Sequence, residues 1–221
     1  MLDHIDSWIF DLDNTLYPAS ANLFSQIDAK MGAYIQDLLG LDPVAAHRVQ
    51  KDLYHSHGMT LPGLMQLHGV DPHHFLDTVH AVDIDVVAPH PELADLIARL
   101  PGRKFVFTNA DSAYADRVLA RLGLSESFDA MHDIHALGYV PKPQMPAYAS
   151  LCAAHAIDPT RAVFVEDLAR NLVPAKAIGM TTVWIDNGSE QGPGDDRSHI
   201  NFTIPDVGSW LATVVAQLEA A

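Results

Sequence analysis

Two aspartates separated by one residue, Asp11-Leu12-Asp13, follow the apolar run Ser7-Trp8-Ile9-Phe10 and carry the first chemistry in the chain. In an extended segment side chains alternate, so Asp11 and Asp13 point to similar sides with Leu12 opposite. Carboxylates that close repel unless a cation or a shared proton relieves them. A second cluster follows Phe105-Val106-Phe107, where Thr108-Asn109-Ala110-Asp111 precedes a helical pattern. Such a turn offers a hydroxyl and main-chain N–H groups to a phosphate, aided by the helix N-terminus. Third, Lys142 sits between Pro141 and Pro143, a stiff turn that presents a cation with little freedom to lose. Fourth, the apolar Val163-Phe164-Val165 delivers Glu166-Asp167-Leu168-Ala169-Arg170-Asn171, and oxygen ligands of this kind suit Mg²⁺. Taken singly, each has an ordinary reading: a solvated acidic turn, a helix cap at Thr108, a surface lysine, a loop glutamate.

These clusters need elements to hold them. Short apolar runs at Ser7–Leu12, Lys104–Thr108, Phe128–His132, Ala162–Val165 and Thr181–Ile185 read as buried parallel strands. Helical patterns at Ala113–Leu122, Gln144–Ala156 and Arg170–Ile178 lie between the later ones, with Gly123 and Gly179 placed to end two of them. Alternation of this kind predicts an α/β fold built on a doubly wound parallel sheet, with ligands at the carboxyl ends of the strands. The stretch 19–82 breaks the rhythm. It carries helical periodicity (Leu23, Ile27, Met31, Tyr34) and further helical pieces at Pro43–His57, Leu61–Leu67 and Pro72–His80, with Asp42-Pro43 and Asp71-Pro72 as starts. The expected organisation is a core of residues 1–18 plus 83–221 and an inserted all-helical unit, 19–82. Asp186–His199 reads as a surface loop, before a last strand at Phe202–Ile204 and a helix from Val207 to Leu218.

Composition narrows the partners. Of 221 residues 48% are hydrophobic, enough for a folded core, and the net charge is −15, reaching only −2 with all 13 His protonated. Binding of polymeric nucleic acid through its backbone needs clustered cations, which this balance disfavours, and docking on an anionic membrane is disfavoured likewise. One cysteine, Cys152, excludes an internal disulfide framework. With no long apolar run and no basic leader, the expected location is cytoplasmic. No protein partner is implied.

The four clusters resemble, in order and spacing, the motifs of the haloacid dehalogenase-like (HAD) phosphohydrolases: DLDNT at Asp11–Thr15, FTNA at Phe107–Ala110, PKP at Pro141–Pro143 and VEDLARN at Val165–Asn171. The helical insertion resembles the cap of one branch of that family. The resemblance implies a Rossmann-like core, an Asp11 nucleophile forming an aspartyl-phosphate, and Asp13 as general acid and then base. It implies Mg²⁺ on Asp11, Asp167 and the Asp13 carbonyl, with Glu166 and Asn171 in outer or water-mediated positions. Thr108, Asn109, Leu12 and Ala110 would surround the phosphate, and Lys142 would neutralise charge. Asn171 stands where other members often have Asp. Family members that cleave carbon–halogen bonds lack a carboxylate at the Asp13 position, which favours a phosphatase. DLDNTLYP, VEDLARNLVPAKAIGM and the stretch His57–Leu64 look most like the pyrimidine 5′-nucleotidase branch, implying a nucleoside monophosphate substrate met by Tyr17, His57, Thr60 and Met65. The alternatives are phosphoglycolate or a sugar phosphate as substrate or, in another class, a non-catalytic phospho-acceptor or metabolite-binding regulator.

Six histidines between positions 55 and 80 invite a zinc reading. Few of them recur at three or four residues and no cysteine joins them, so a solvated surface is the expectation. Cys152 falls within an apolar helical pattern and is expected to pack.

Overall fold

The structure, a computed structural model, describes residues 2–188 and 196–220. Strands β1 (Ser7–Phe10), β2 (Arg103–Phe107), β3 (Ala130–His132), β4 (Ala162–Glu166), β5 (Thr181–Ile185) and β6 (Phe202–Ile204) form one parallel sheet in the order β3-β2-β1-β4-β5-β6. β1 and β4 are buried along their whole lengths, which is why they run apolar instead of alternating. Ile9 pairs with Phe105 on one side and Phe164 on the other. The order reverses between β1 and β4, a topological switch point whose crevice lies at the carboxyl ends of those strands.

Strand entry is fixed from the opposite end. Arg103 N–H donates to the Asp6 carbonyl at 2.9 Å, and the buried Trp8 indole N–H donates to Pro101 O at 2.8 Å. Gly102 between them has φ +76°, and a Cβ there would lie 2.2 Å from Asp6 O. Only glycine tolerates both that conformation and that approach.

Between β1 and β2 the chain forms α1 (Leu23–Leu39), α2 (Pro43–His57), α3 (Thr60–His68) and α4 (Pro72–Val79) with no strand, as periodicity predicts. α1 packs on α2 and α4, and α2 on α3. The Asp42 carboxylate accepts from Val44 N–H at 2.9 Å and Ala45 N–H at 3.0 Å, and the Asp71 carboxylate from His73 N–H at 3.0 Å. Both helices thus begin at Asp-Pro, with aspartate satisfying free N–H groups and proline costing none. Helix α5 (Pro91–Ala98) is additional to the expected elements. Its buried residues, Leu93 and Ile97, make a single four-residue repeat, too short a pattern to declare a helix.

Helices α6 (Ser112–Leu122), α7 (Met145–His155), α8 (Ala169–Ala177) and α9 (Val207–Glu219) complete the fold. Gly123 ends α6 at φ +81°, and Gly179 follows α8 at φ +103°. Strand β1 stops two residues earlier than the apolar run suggests. Thr15 and Leu16 N–H groups donate to Leu12 O and Asn14 takes φ 58°, turning the chain away from the sheet. Of the expected loop Asp186–His199, residues 189–195 lie outside the described residues. Among the described residues no helix is long and apolar enough to cross a membrane.

Candidate active site

Asp11 follows the last residue of β1, its N–H donating to Val165 O of β4 at 3.0 Å. Its carboxylate is buried. One oxygen accepts from Lys142 Nζ at 2.6 Å and the other from Thr15 Oγ1 at 3.1 Å. Lys142 Nζ also donates to Glu166 at 2.8 Å and to the Phe107 carbonyl at 2.8 Å, which uses all three of its protons. Its Nζ also lies near two aromatic rings, 5.1 Å from the centre of Phe107 and 5.3 Å from that of Phe164.

Such burial sets the protonation states. Burial and the neighbouring Glu166 charge push Asp11 up to about 7, with Lys142 opposing. For Lys142, burial works against the charged form, but Asp11 and Glu166 outweigh it and raise its pKa. Burial also acts to raise Glu166, and the Lys142 ammonium overcomes it and holds that carboxyl below its usual range.

Oxygens of Asp11, Glu166 and Asp167 all lie within 4.8 Å of one another, and all three residues are buried. Three acidic groups share one ammonium in a buried site, so once Asp11 loses its proton the negative charge exceeds the positive. Asn171, in the first turn of α8, is also buried, and its Oδ1 has no hydrogen-bond partner among the described residues. A set of hard oxygen donors with more acidic groups than cations and an unsatisfied amide oxygen fits a hard divalent cation.

Asp13 is half-buried. Its Oδ1 accepts from Tyr17 OH at 2.6 Å and from Tyr114 OH at 2.7 Å, while Oδ2 takes no hydrogen bond from a described residue. Burial and the Asp13 charge push both tyrosine hydroxyls well above their ordinary range, which keeps them as donors. Tyr114 is fixed in turn. Asp111 caps α6 by accepting the Tyr114 N–H at 2.9 Å, and His80, which ends α4, bonds the other Asp111 oxygen and stacks on the Tyr114 ring at 4.4 Å. Burial would raise Asp111, yet the His80 contact leads the interactions that hold its pKa down.

At the end of β2, Thr108 is buried and its Oγ1 accepts the Ala110 N–H at 3.0 Å. The cap of α6 is therefore Asp111, and Thr108 shapes the turn before it. Asn109 uses its side chain as well as its position: Nδ2 donates to Lys142 O at 3.2 Å, and Oδ1 accepts Lys142 N–H at 2.9 Å.

The residues named from the sequence divide into two groups. Asp11, Lys142, Glu166 and Asp167 converge at the ends of β1 and β4, with Thr108 and Asn109 on the adjoining β2 turn. Glu166 shares the Lys142 ammonium with Asp11. Leu12, Ala110 and Tyr17 are buried, and the Tyr17 hydroxyl is committed to Asp13. In the helical unit Thr60 is buried, while His57 and Met65 are half-buried; His57 Nδ1 bonds Ser56 Oγ at 2.7 Å. That unit does approach the strand ends. A Cβ on Gly58 would lie 3.8 Å from Pro141 and 3.7 Å from Gln144, and the Arg170 guanidinium sits 4.5 Å from the centre of the Tyr54 ring. His80, Asp111 and Tyr114 were not foreseen from the sequence. Their one local signal is Asp111 immediately before an amphipathic run, which marks a helix cap and nothing more.

A family model described as haloacid dehalogenase-like hydrolase matches residues 5–179. Fructose-1-phosphate phosphatase YqaB of Escherichia coli is 28% identical over 196 residues, 83% of this chain and 97% of that protein. Phosphate metabolism protein 8 of Saccharomyces cerevisiae is 26% identical over 139 residues, 58% of this chain; the match spans 43% of the yeast protein, less than half its length. Among solved structures, a HAD phosphatase from Thermococcus onnurineus superposes with TM-score 0.63 at 18% identity, covering 96% of this chain and 98% of that one. An L-2-haloacid dehalogenase from Xanthobacter autotrophicus gives 0.58 at 20%, covering 95% and 98%. At such identities the structural likeness concerns the fold alone.

Proposed function

The chain belongs to the haloacid dehalogenase-like hydrolases, and from that membership we propose that it is a Mg²⁺-dependent phosphomonoesterase acting through an aspartyl-phosphate on Asp11. The observation that carries this reading is Asp13, whose Oδ2 takes no hydrogen bond from a described residue and which neighbours a nucleophile buried against Lys142. A halide departs without a proton. An alkoxide leaving an ester is a strong base and needs one, and a positioned acid contributes about 10²–10⁴-fold in rate.

In the first step an Asp11 oxygen attacks phosphorus and the bond from phosphorus to the ester oxygen breaks. The electron pair stays on that oxygen, which takes the Asp13 proton, and the alcohol leaves. Water then attacks the phosphorus of the aspartyl-phosphate and passes a proton to Asp13. The acyl bond to phosphorus breaks, releasing inorganic phosphate and restoring the Asp11 carboxylate. Lys142 offsets the repulsion between carboxylate and phosphate, and Thr108 with the Asn109 N–H holds phosphate oxygens. Phosphoryl transfer depends mainly on such positioning and charge neutralisation. The Asp11 and Asp167 carboxylates and the Asp13 carbonyl, with Glu166 and Asn171 behind them, would hold Mg²⁺, which would supply the remaining neutralisation.

We assign the helical unit 19–82 as the cap over the leaving group, with His57, Thr60 and Met65 as its candidate substrate contacts. We assign the substrate to small phosphorylated metabolites and, from the motif strings, foremost to nucleoside 5′-monophosphates. The likeness to the E. coli sugar phosphatase over most of both chains supports a sugar phosphate as the second reading. Phosphate release from UMP, CMP, AMP, fructose 1-phosphate and phosphoglycolate, with Mg²⁺ and with chelator, tests both. Turnover that survives Asp11→Asn or chelator refutes the mechanism. A preference for fructose 1-phosphate over every nucleotide refutes the first substrate assignment and leaves the chemistry intact.

A further inference from the structure

We propose that Tyr17 and Tyr114 are positioning residues for the general acid, holding Asp13 by its Oδ1 so that the proton delivered to the leaving group resides on Oδ2. The inference rests on the phosphomonoesterase reading above and names part of its machinery. Both hydroxyls donate to the same oxygen, at 2.6 and 2.7 Å. An oxygen that already accepts two strong hydrogen bonds has no room for a proton of its own, so the carboxyl proton takes the other oxygen. The two donors approach from different elements, Tyr17 from the turn after β1 and Tyr114 from α6, and together they fix the rotation of the carboxyl plane as well as its place.

Tyr114 is itself held on three counts. Its N–H is bound by Asp111, its ring is stacked on His80, and it is buried at 1% exposure. His80 ends the last helix of the segment proposed as the cap and bonds Asp111. The support under the acid therefore runs into the element that covers the leaving group.

Leaving-group dependence separates positioning of the acid from general structural support. An alkyl ester such as fructose 1-phosphate or UMP requires protonation of its leaving oxygen, whereas p-nitrophenolate departs unaided. The parameter to read is kcat/KM, because it ends at formation of the aspartyl-phosphate and excludes the later step in which Asp13 acts as base. Tyr17→Phe and Tyr114→Phe remove one oxygen each and keep the packed ring. Each is expected to lower kcat/KM on the alkyl ester about 10-fold more than on p-nitrophenyl phosphate, and the double variant about 100-fold more, within the range that misplacement of a catalytic group costs. Equal losses on the two esters, or no loss on either, from variants that melt with the parent overturn the proposal. Failure of the underlying reading looks different. Asp13→Asn would then leave the alkyl-to-aryl ratio unchanged, or Asp11→Asn would retain turnover, whatever the tyrosine variants do.

Discussion

Replacing Lys142 by methionine removes the ammonium while keeping an unbranched, buried side chain of similar length, so the cost is mainly electrostatic and not that of a cavity. Three hydrogen bonds vanish, at 2.6, 2.8 and 2.8 Å. Each carboxylate contact represents about 6 kcal/mol of Coulomb attraction at an effective dielectric near 20, largely offset by the desolvation of both partners. What the substitution leaves is a set of buried carboxylates without a cation, and breaking a buried pair in this way costs about 3–5 kcal/mol. For a chain of this size that lowers Tm by about 6–20 °C. The sign with pH follows from the acids. Without the ammonium, Asp11 and Glu166 are held above their unfolded-state pKa values. They therefore favour the folded state at low pH and penalise it as pH rises. The difference in Tm between parent and Lys142→Met is expected to be widest at pH 8 and to shrink toward pH 5. Thermal unfolding followed by circular dichroism, without metal, measures it. A difference below about 2 °C at pH 8, or one that does not narrow on acidification, refutes the account of Lys142 as the cation that makes this carboxylate cluster tolerable. In the same variant kcat is expected to fall by about 10²–10³ or more, the scale on which one transition-state charge stabiliser counts.

Three further outcomes are expected. Asp11 stands near 7 without metal, so a cation must displace its proton as pH falls; 100 Kd of Mg²⁺ should add about 2.7 kcal/mol, raising Tm about 5–10 °C at pH 8 and far less at pH 5.5, as read by the same melts. Asn171→Leu removes a buried amide oxygen with no partner, so the metal-free Tm should hold or rise while the Mg²⁺-induced shift shrinks, and an unchanged shift would remove Asn171 from the metal environment. Gly102→Ala places a Cβ against the Asp6 carbonyl at a positive φ and should cost about 3 kcal/mol or more, seen as a lower midpoint in urea, whereas a loss under about 1 kcal/mol would mean that the β2 entry relaxes freely.

What the sequence made legible was local or short-range in origin. Asp42-Pro43 and Asp71-Pro72 start helices because a cap and a proline act within one turn, and β1, β2 and β4 read clearly because a strand buried on both faces runs apolar. Three of the four clusters were legible for the same reason, each lying directly after such a run, whereas Lys142, well past the end of β3, showed only through its flanking prolines. The cross-connections were not. Tyr114 reaches Asp13 across 101 positions and Lys142 reaches Asp11 across 131; those pairs exist because β1 lies between β2 and β4, an order that no periodicity encodes. The contact of Glu166 with Lys142 was not legible, because a loop carboxylate and a buried one have the same letter. Helix α5 was missed because two buried side chains, Leu93 and Ile97, make too little pattern to separate from a loop.

The pairing of the Asn109 side chain with the main chain of Lys142 resembles the matching of complementary bases more than an ordinary hydrogen bond. A primary amide faces a lysine's own N–H and C=O, donor to acceptor and acceptor to donor. A third hydrogen bond then ties the same lysine's tip to the Phe107 carbonyl, two residues before Asn109. Lysine is usually the residue that swings to meet its ligand. Here the root is anchored to the turn after β2 and the tip to the ends of β1, β2 and β4 at once, so the positive charge is fixed to the sheet and cannot search independently. A substrate whose phosphate arrives out of line finds no side chain able to follow it, and alignment must come from the substrate's own fit. Loss of the amide in Asn109→Leu would free the root and leave the tip bound, turning a fixed charge into a tethered one.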